Sequence, residues 1–147
     1  MFVFIQNEAG STIKNRHNEK SLEWQSREAV SRPYPYPYGF ALNTTAEDGD
    51  NVDCFVLTAR QLQTGHVVEC RPVALMQQIE DGEQDHNVLA VIEGEEFELS
   101  DSIKATLTSF VMNVFAHIHG KHMCVGEFLG PRAAEEYVAS HADFPFS

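Results

Sequence analysis

The chain has 147 residues, with 22 acidic side chains against 10 Lys plus Arg and a formal net charge of −12. That length suits one domain with a real core, and 43% apolar residues with 10 Phe exclude a disordered chain. So few cations cannot build a broad phosphate-binding face, which argues against nucleic acid and toward a function that takes a cation.

In chain order, Phe2-Val-Phe-Ile-Gln6 reads as a strand. The apolar opening stops at Gln6, too short for a membrane span or a signal peptide, so no membrane is expected. Residues 7–33 are polar and could hold a hairpin. Pro33, Pro35 and Pro37 then exclude helix and set an extended segment, Tyr34 to Phe40. Residues 45–53 form a loop by turn chemistry, followed by strands over 53–58, 66–79 (bent near Arg71-Pro72) and 87–93. An acidic turn, Glu80 to Asp85 with Gly82 near its tip, separates the last two.

The final third changes character. Ser100 or Asp101 can cap a helix, and Ile103, Leu107, Phe110, Val111, Val114, Phe115 and Ile118 make one apolar stripe ending at Gly120. Pro131 suits the first turn of a second helix reaching about His141. Strands first and helices later predict an α+β fold, a curved or closed sheet with two C-terminal helices packed on it. No repeat or linker divides residues 1–147, so a single domain is expected.

Two acidic clusters flank the strands: Glu47, Asp48, Asp50 and Asp53, then Glu80, Asp81, Glu83 and Asp85. Gathered carboxylates repel one another, and a hard divalent cation such as Mg²⁺ or Ca²⁺ relieves that. The plain alternative is a pair of solvated acidic turns; it suits Glu80–Asp85 taken alone better than Asp48–Asp53, where three Asp crowd one short loop before a core strand. An EF-hand fits poorly, because Asp53 stands where its turn Gly belongs and Ala59 where its bidentate Glu belongs.

Tyr34-Pro35-Tyr36-Pro37-Tyr38-Gly39-Phe40, Asn43-Thr44 and Glu47-Asp48-Gly49-Asp50-Asn51-Val52-Asp53 together resemble the soluble family I inorganic pyrophosphatases. The resemblance continues through Val56-Leu57-Thr58, Cys70-Arg71-Pro72-Val73, Asp85 and Val88-Leu89-Ala90-Val91, and weakens outside residues 34–93. It implies a small closed, OB-like β-barrel with flanking helices and Mg²⁺-dependent hydrolysis of pyrophosphate to two phosphates by activated water, with Mn²⁺ as the other candidate metal. It also implies a homo-oligomer, commonly a hexamer. By the same resemblance Asp48, Asp53 and Asp85 would ligate metal, with Glu80 where the family usually has an Asp. Asp50 would take the proton of the attacking water, and Tyr38 and Lys14 would meet phosphate.

The departures concern charge. Gln6 stands where a site Glu is expected, Ser26 where an Arg is expected with Arg27 one step away, and Asn87 where a Lys is expected. Val114-Phe115 replaces a Tyr-Lys pair. Losing one electrostatic donor typically costs ~10²–10³ in rate. Two readings follow: a divergent diphosphatase in which Arg16, Lys20, Arg27 or Lys121 replaces the lost cations, or a weakly active or non-catalytic relative that keeps a metal site and serves in binding or assembly.

The remaining features have plain expectations. Cys54, Cys70 and Cys124 lie among apolar residues without CxxC spacing, which predicts buried free thiols in a reducing, cytoplasmic setting, with Cys54 core rather than nucleophile. His117, His119 and His122 decorate a helix C-terminus. Trp24 is expected to be packed, and Phe144-Pro145-Phe146 to dock on a neighbour or fray.

Overall fold

A computed structural model describes residues 1–144. The strands are β1 (Phe2–Asn7), β2 (Ile13–His17), β3 (Trp24–Ala29), β4 (Tyr38–Ala41), β5 (Asp53–Val56), β6 (Val67–Glu80), β7 (Glu83–Gln84), β8 (Asn87–Ile92) and β9 (Met123–Leu129). The helices are α1 (Asp101–Asn113), before β9, and α2 (Pro131–Ser140), after it. This is the mixed, sheet-dominated fold with two helices that the pattern predicts. The main sheet runs β1-β4-β5-β8-β6-β7, with β9 on β6, and β6 also pairs with β1. The pairings therefore lead from β1 around to β6 and back to β1.

β5 and β8 explain why the core is two-sided. β8 is buried along its whole length, as a continuous apolar run requires. Side-chain alternation sends Cys54, Val56, Val88 and Ala90 to one core, which Ala134 of α2 joins. It sends Phe55, Leu57, Leu89 and Val91 to the other, against Leu107, Phe110 and Val111 of α1. β5 and β8 run parallel with Asp53 opposite Asn87, so the acidic loops preceding the two strands arrive at the same end.

Gly39 is required by the closeness of β1 and β4. A Cβ there would lie 1.8 Å from the carbonyl oxygen of Phe4. In β6 the expected bend appears as a register shift between Pro72 and Ala74 against β8.

β2 and β3 form the expected hairpin, but as a separate two-stranded sheet. Its base is tied by Asn15, whose backbone N–H donates to Asn7 Oδ1 at 2.7 Å. Its tip is tied to Asn51 in the acidic loop: Glu19 Oε1 accepts from the Asn51 N–H at 3.0 Å, and Lys20 Nζ donates to Asn51 Oδ1 at 2.6 Å.

Several local expectations need correction. α1 stops at Asn113, not near Gly120, because the Ser31 N–H donates to the Val114 carbonyl at 2.9 Å and fixes the chain where a further turn would form. The histidines 117, 119 and 122 therefore lie beyond the helix. Trp24 is 57% exposed, its indole N–H reaching Asn15 Oδ1 at 3.3 Å. Cys54 and Cys70 are buried free thiols, but Cys124, on β9, is exposed. Burial pushes the Cys54 thiol well up and the Cys70 thiol up to about 12, so both are core groups. Phe144 is exposed, and the rest of that tail lies outside the described residues. No helix among the described residues is long and apolar enough to cross a membrane.

Candidate active site

The acidic loop between β4 and β5 is shaped by its own residues. The Asp50 carbonyl accepts from the Ala46 N–H at 2.7 Å, the Gly49 N–H donates to the Ala46 carbonyl at 3.0 Å, and the Asp50 N–H donates to Asp48 Oδ1 at 3.0 Å. Gly49 adopts φ +87°, a conformation glycine takes without steric cost, which accounts for the Gly between the two Asp. The turn leaves the Asp48 and Asp50 side chains exposed, while Asp53 enters β5.

All seven side chains expected at a site line one cavity of about 290 Å³: the five carboxylates Asp48, Asp50, Asp53, Glu80 and Asp85, with Tyr38 and Lys14. Of the replacement cations, Arg16 and Lys121 line it and Lys20 and Arg27 do not. Lys20 is committed to the Thr44 carbonyl, Thr45 and Asn51. Arg27 pairs across the hairpin with Asn15, and Gln25 takes the cavity wall instead. Arg16 forms an ion pair with Glu28 on β3.

The deep end of the cavity is crowded with carboxyls. Asp53 meets Asp85, and Asp85 meets Glu80. Burial, then the Asp85 charge, pushes the Asp53 carboxyl well up. Burial is also the main cause that raises Asp85, to about 6. Burial opposes ionisation of Glu80 too, but Lys121 at 2.6 Å and the Asp85 contact outweigh it, and its pKa is lowered. Burial, and then Asp53, holds the Tyr38 hydroxyl well above its usual range, so it remains a donor.

Among the described residues no three His, Cys, Asp or Glu side chains converge to hold a metal ion as they stand. Glu80 is turned to Lys121, and Asp53 and Asp85 are turned to each other. The donor set nonetheless fits a hard divalent cation. It is all oxygen, no thiol lines the cavity, and the one imidazole there, His17, packs edge-on against Phe4. Burial first, and carboxylate repulsion after it, raises these carboxyls, and such a cation would relieve both.

A metal-free prediction follows from that repulsion. With Asp85 at about 6 in the native state and near 4 unfolded, the native protein holds the extra proton between those values. Stability from this group is therefore highest at the acid end and falls as pH rises to about 6. Asp53→Asn removes a carboxyl whose ionisation burial and the Asp85 charge both oppose. In EDTA at pH 8 it is expected to stabilise by about 1–2 kcal/mol, a rise of several degrees in Tm, and to lose the stabilisation by Mg²⁺. A variant that melts below the wild type in EDTA at pH 8 would contradict this account.

Sequence reasoning passed over Glu19, which lines the same cavity. Burial, then the charge of Asp50, raises its pKa to about 7. Its only signal in the sequence was a carboxylate in a polar hairpin. The replaced positions are also located. Gln6 lines the cavity and is 5% exposed. Asn87 is buried and donates to Gln78 Oε1 at 2.5 Å. Val114 and Phe115 form the apolar side of a recess of about 40 Å³ beside the cavity, whose other side carries Lys14, Glu80, Asp85 and Asn87, with room for only a few waters.

The family model for inorganic pyrophosphatase matches residues 3–143. The chain belongs to the inorganic pyrophosphatase family. It is 29% identical to the inorganic pyrophosphatase of Nanoarchaeum equitans (strain Kin4-M) over 148 aligned residues, which cover 94% of this chain and 92% of the relative. Identity to the enzyme of Halobacterium salinarum reaches 50% over 60 residues, but that match spans 41% of this chain and 34% of the relative. Among solved structures, that of an inorganic phosphatase from Anaplasma phagocytophilum superposes with a TM-score of 0.88 at 26% identity, covering 96% of this chain and 90% of the other. Membership places the chain among hydrolases of a phosphoanhydride, a family that takes divalent metal.

Proposed function

We propose that this chain hydrolyses inorganic pyrophosphate with Mg²⁺ in the cavity between the acidic loop and the β2–β3 hairpin. One observation carries the reading: Asp48, Asp50, Asp53, Glu80 and Asp85 share that cavity with Lys14, Tyr38, Arg16 and Lys121. Carboxylates line it beside side chains that pair with phosphate oxygens, and phosphoryl transfer needs mainly positioning and charge neutralisation.

Asp48, Asp53, Asp85 and Glu80 would hold the metal, Mg²⁺ or alternatively Mn²⁺. When bound, Mg²⁺ supplies Lewis acidity and neutralises phosphate charge. Asp50, exposed beside those carboxylates, receives the proton of the attacking water. The water oxygen forms the new bond to phosphorus as the bridging P–O bond breaks and the second phosphate leaves. Lys14 donates to phosphate oxygens, and Tyr38, kept protonated, donates its O–H.

Phosphate release from pyrophosphate tests this directly. Release that requires Mg²⁺ and stops with EDTA is expected. Folded protein that binds Mg²⁺ but releases no phosphate would instead support the non-catalytic reading, which the loss of cations at Asn87 and Phe115 favours.

We also read the pairing circuit from β1 to β6 and back as a small closed barrel, and residues 1–147 as one domain; the family match over 3–143 supports this. A homo-oligomer, hexameric as is common in the family, and a cytoplasmic setting complete the reading. Exposed Phe2, Val67 and Ile79 offer apolar surface for the first, and free thiols suit the second.

A further inference from the structure

Lys121, one of the four replacement cations that the sequence offers, sits in the connection between α1 and β9. Three features fix it at the cavity. Its ammonium lies 2.6 Å from Glu80 Oε1 and 4.3 Å from the centroid of the Phe115 ring. The next residue, His122, donates its N–H to Asp81 Oδ1 at 2.8 Å, and its carbonyl accepts from the Asp81 N–H at 2.8 Å. β9 then pairs Met123 with Glu80, so the backbone on the C-terminal side of Lys121 is held to the β6–β7 turn.

The same Phe115 ring faces a second ammonium, that of Lys14, at 5.2 Å from its centroid. One aromatic ring thus gathers two cations beside Glu80 and Asp85. An ammonium has three donors and no acceptor. Glu80 occupies one donor of Lys121, and the other two remain for oxygens entering the cavity. Its side chain is 24% exposed, enough to meet a ligand and too little for water to screen it fully.

We infer that Lys121 is a phosphate-binding side chain of this protein and that Phe115 is the positioning residue that holds it, replacing the cation missing from the end of α1. This rests on the pyrophosphate reading, because it assumes an anionic phosphate between Lys14 and Lys121. Both ammoniums then contact the bound anion.

The test is titration of inorganic phosphate into the Mg²⁺-loaded protein by calorimetry, beside the pyrophosphate kinetics. Lys121→Met keeps the length and removes the charge, and is expected to weaken phosphate binding and raise KM by roughly 10–100-fold. Lys121→Arg is expected to recover most of both. Phe115→Leu, which keeps an apolar side chain but removes the π-face, is expected to raise KM by roughly 3–10-fold with kcat little changed. A purely structural ion pair with Glu80 would lower Tm in Lys121→Met without moving phosphate affinity, and that result would overturn the inference. If the wild type hydrolyses pyrophosphate and Lys121→Met binds phosphate equally well, only this inference fails. If the Mg²⁺-loaded wild type neither hydrolyses pyrophosphate nor binds phosphate, the functional reading fails with it.

Discussion

Asp50→Asn is expected to cut Mg²⁺-dependent phosphate release by roughly 10²–10⁴-fold, the usual contribution of a positioned general base. Backbone geometry makes this a clean substitution. The turn is held by the Asp50 carbonyl and N–H, through Ala46 and Asp48, and not by the Asp50 carboxylate. Asn keeps those bonds and the side-chain volume while removing the ability to accept a proton. Tm and the apparent affinity for Mg²⁺ should stay close to wild type, because Asp48, Asp53 and Asp85 are untouched. Rapid-quench or coupled-assay kinetics at saturating Mg²⁺ would measure it. Retention of most of the rate would remove Asp50 from the proton-accepting role.

Gly39→Ala is expected to have the largest effect on stability. The added methyl would sit 1.8 Å from the Phe4 carbonyl oxygen and 2.9 Å from its carbon. Both belong to backbone within a ladder, so no side chain can rotate aside. β1 and β4 must separate locally, disturbing Phe4↔Phe40 and Ile5↔Gly39, and carrying Tyr38 with them. A cost of about 3 kcal/mol or more, at the upper end of overpacking, corresponds to a fall in Tm on the order of 10 °C. Circular dichroism melts would measure it, and a midpoint within about 2 °C of wild type would refute the close-approach argument.

The legible parts of the fold were those governed by local chemistry. The apolar run of β8, the Ser100 cap on Ile103 and Pro131 at the start of α2 all appear where the residues put them. The site was legible where its residues crowd one loop: Asp48, Asp50 and Asp53 lie where three Asp in six positions suggest. What escaped was decided by distant contacts. β9 carries Gly126 and shows no clean alternation, so its pairing with β6 has little local signal. The end of α1 is set by Ser31, more than 80 residues earlier in sequence, while the apolar period runs on through Phe115 and Ile118. Lys121 is one of four candidate cations in the sequence, and only the Asp81 turn, which fixes the chain beside Glu80, singles it out. Glu19 is one polar residue among many until the hairpin tip folds onto Asn51.

The separate hairpin sheet has a consequence for how the protein breathes. Lys14 and Arg16 ride on β2, whereas the carboxylates are carried by the main sheet and its loops. A two-stranded sheet held by Asn7, Asn15 and Asn51 opens at lower local free energy than the fully buried β8. The cationic wall can therefore detach transiently while the acidic wall stays folded. An anion that touches Lys14 and Lys121 together joins the two units, so ligand binding here is also a local folding event: amide protons of the hairpin gain protection while those of β8 keep the exchange rates of the free protein.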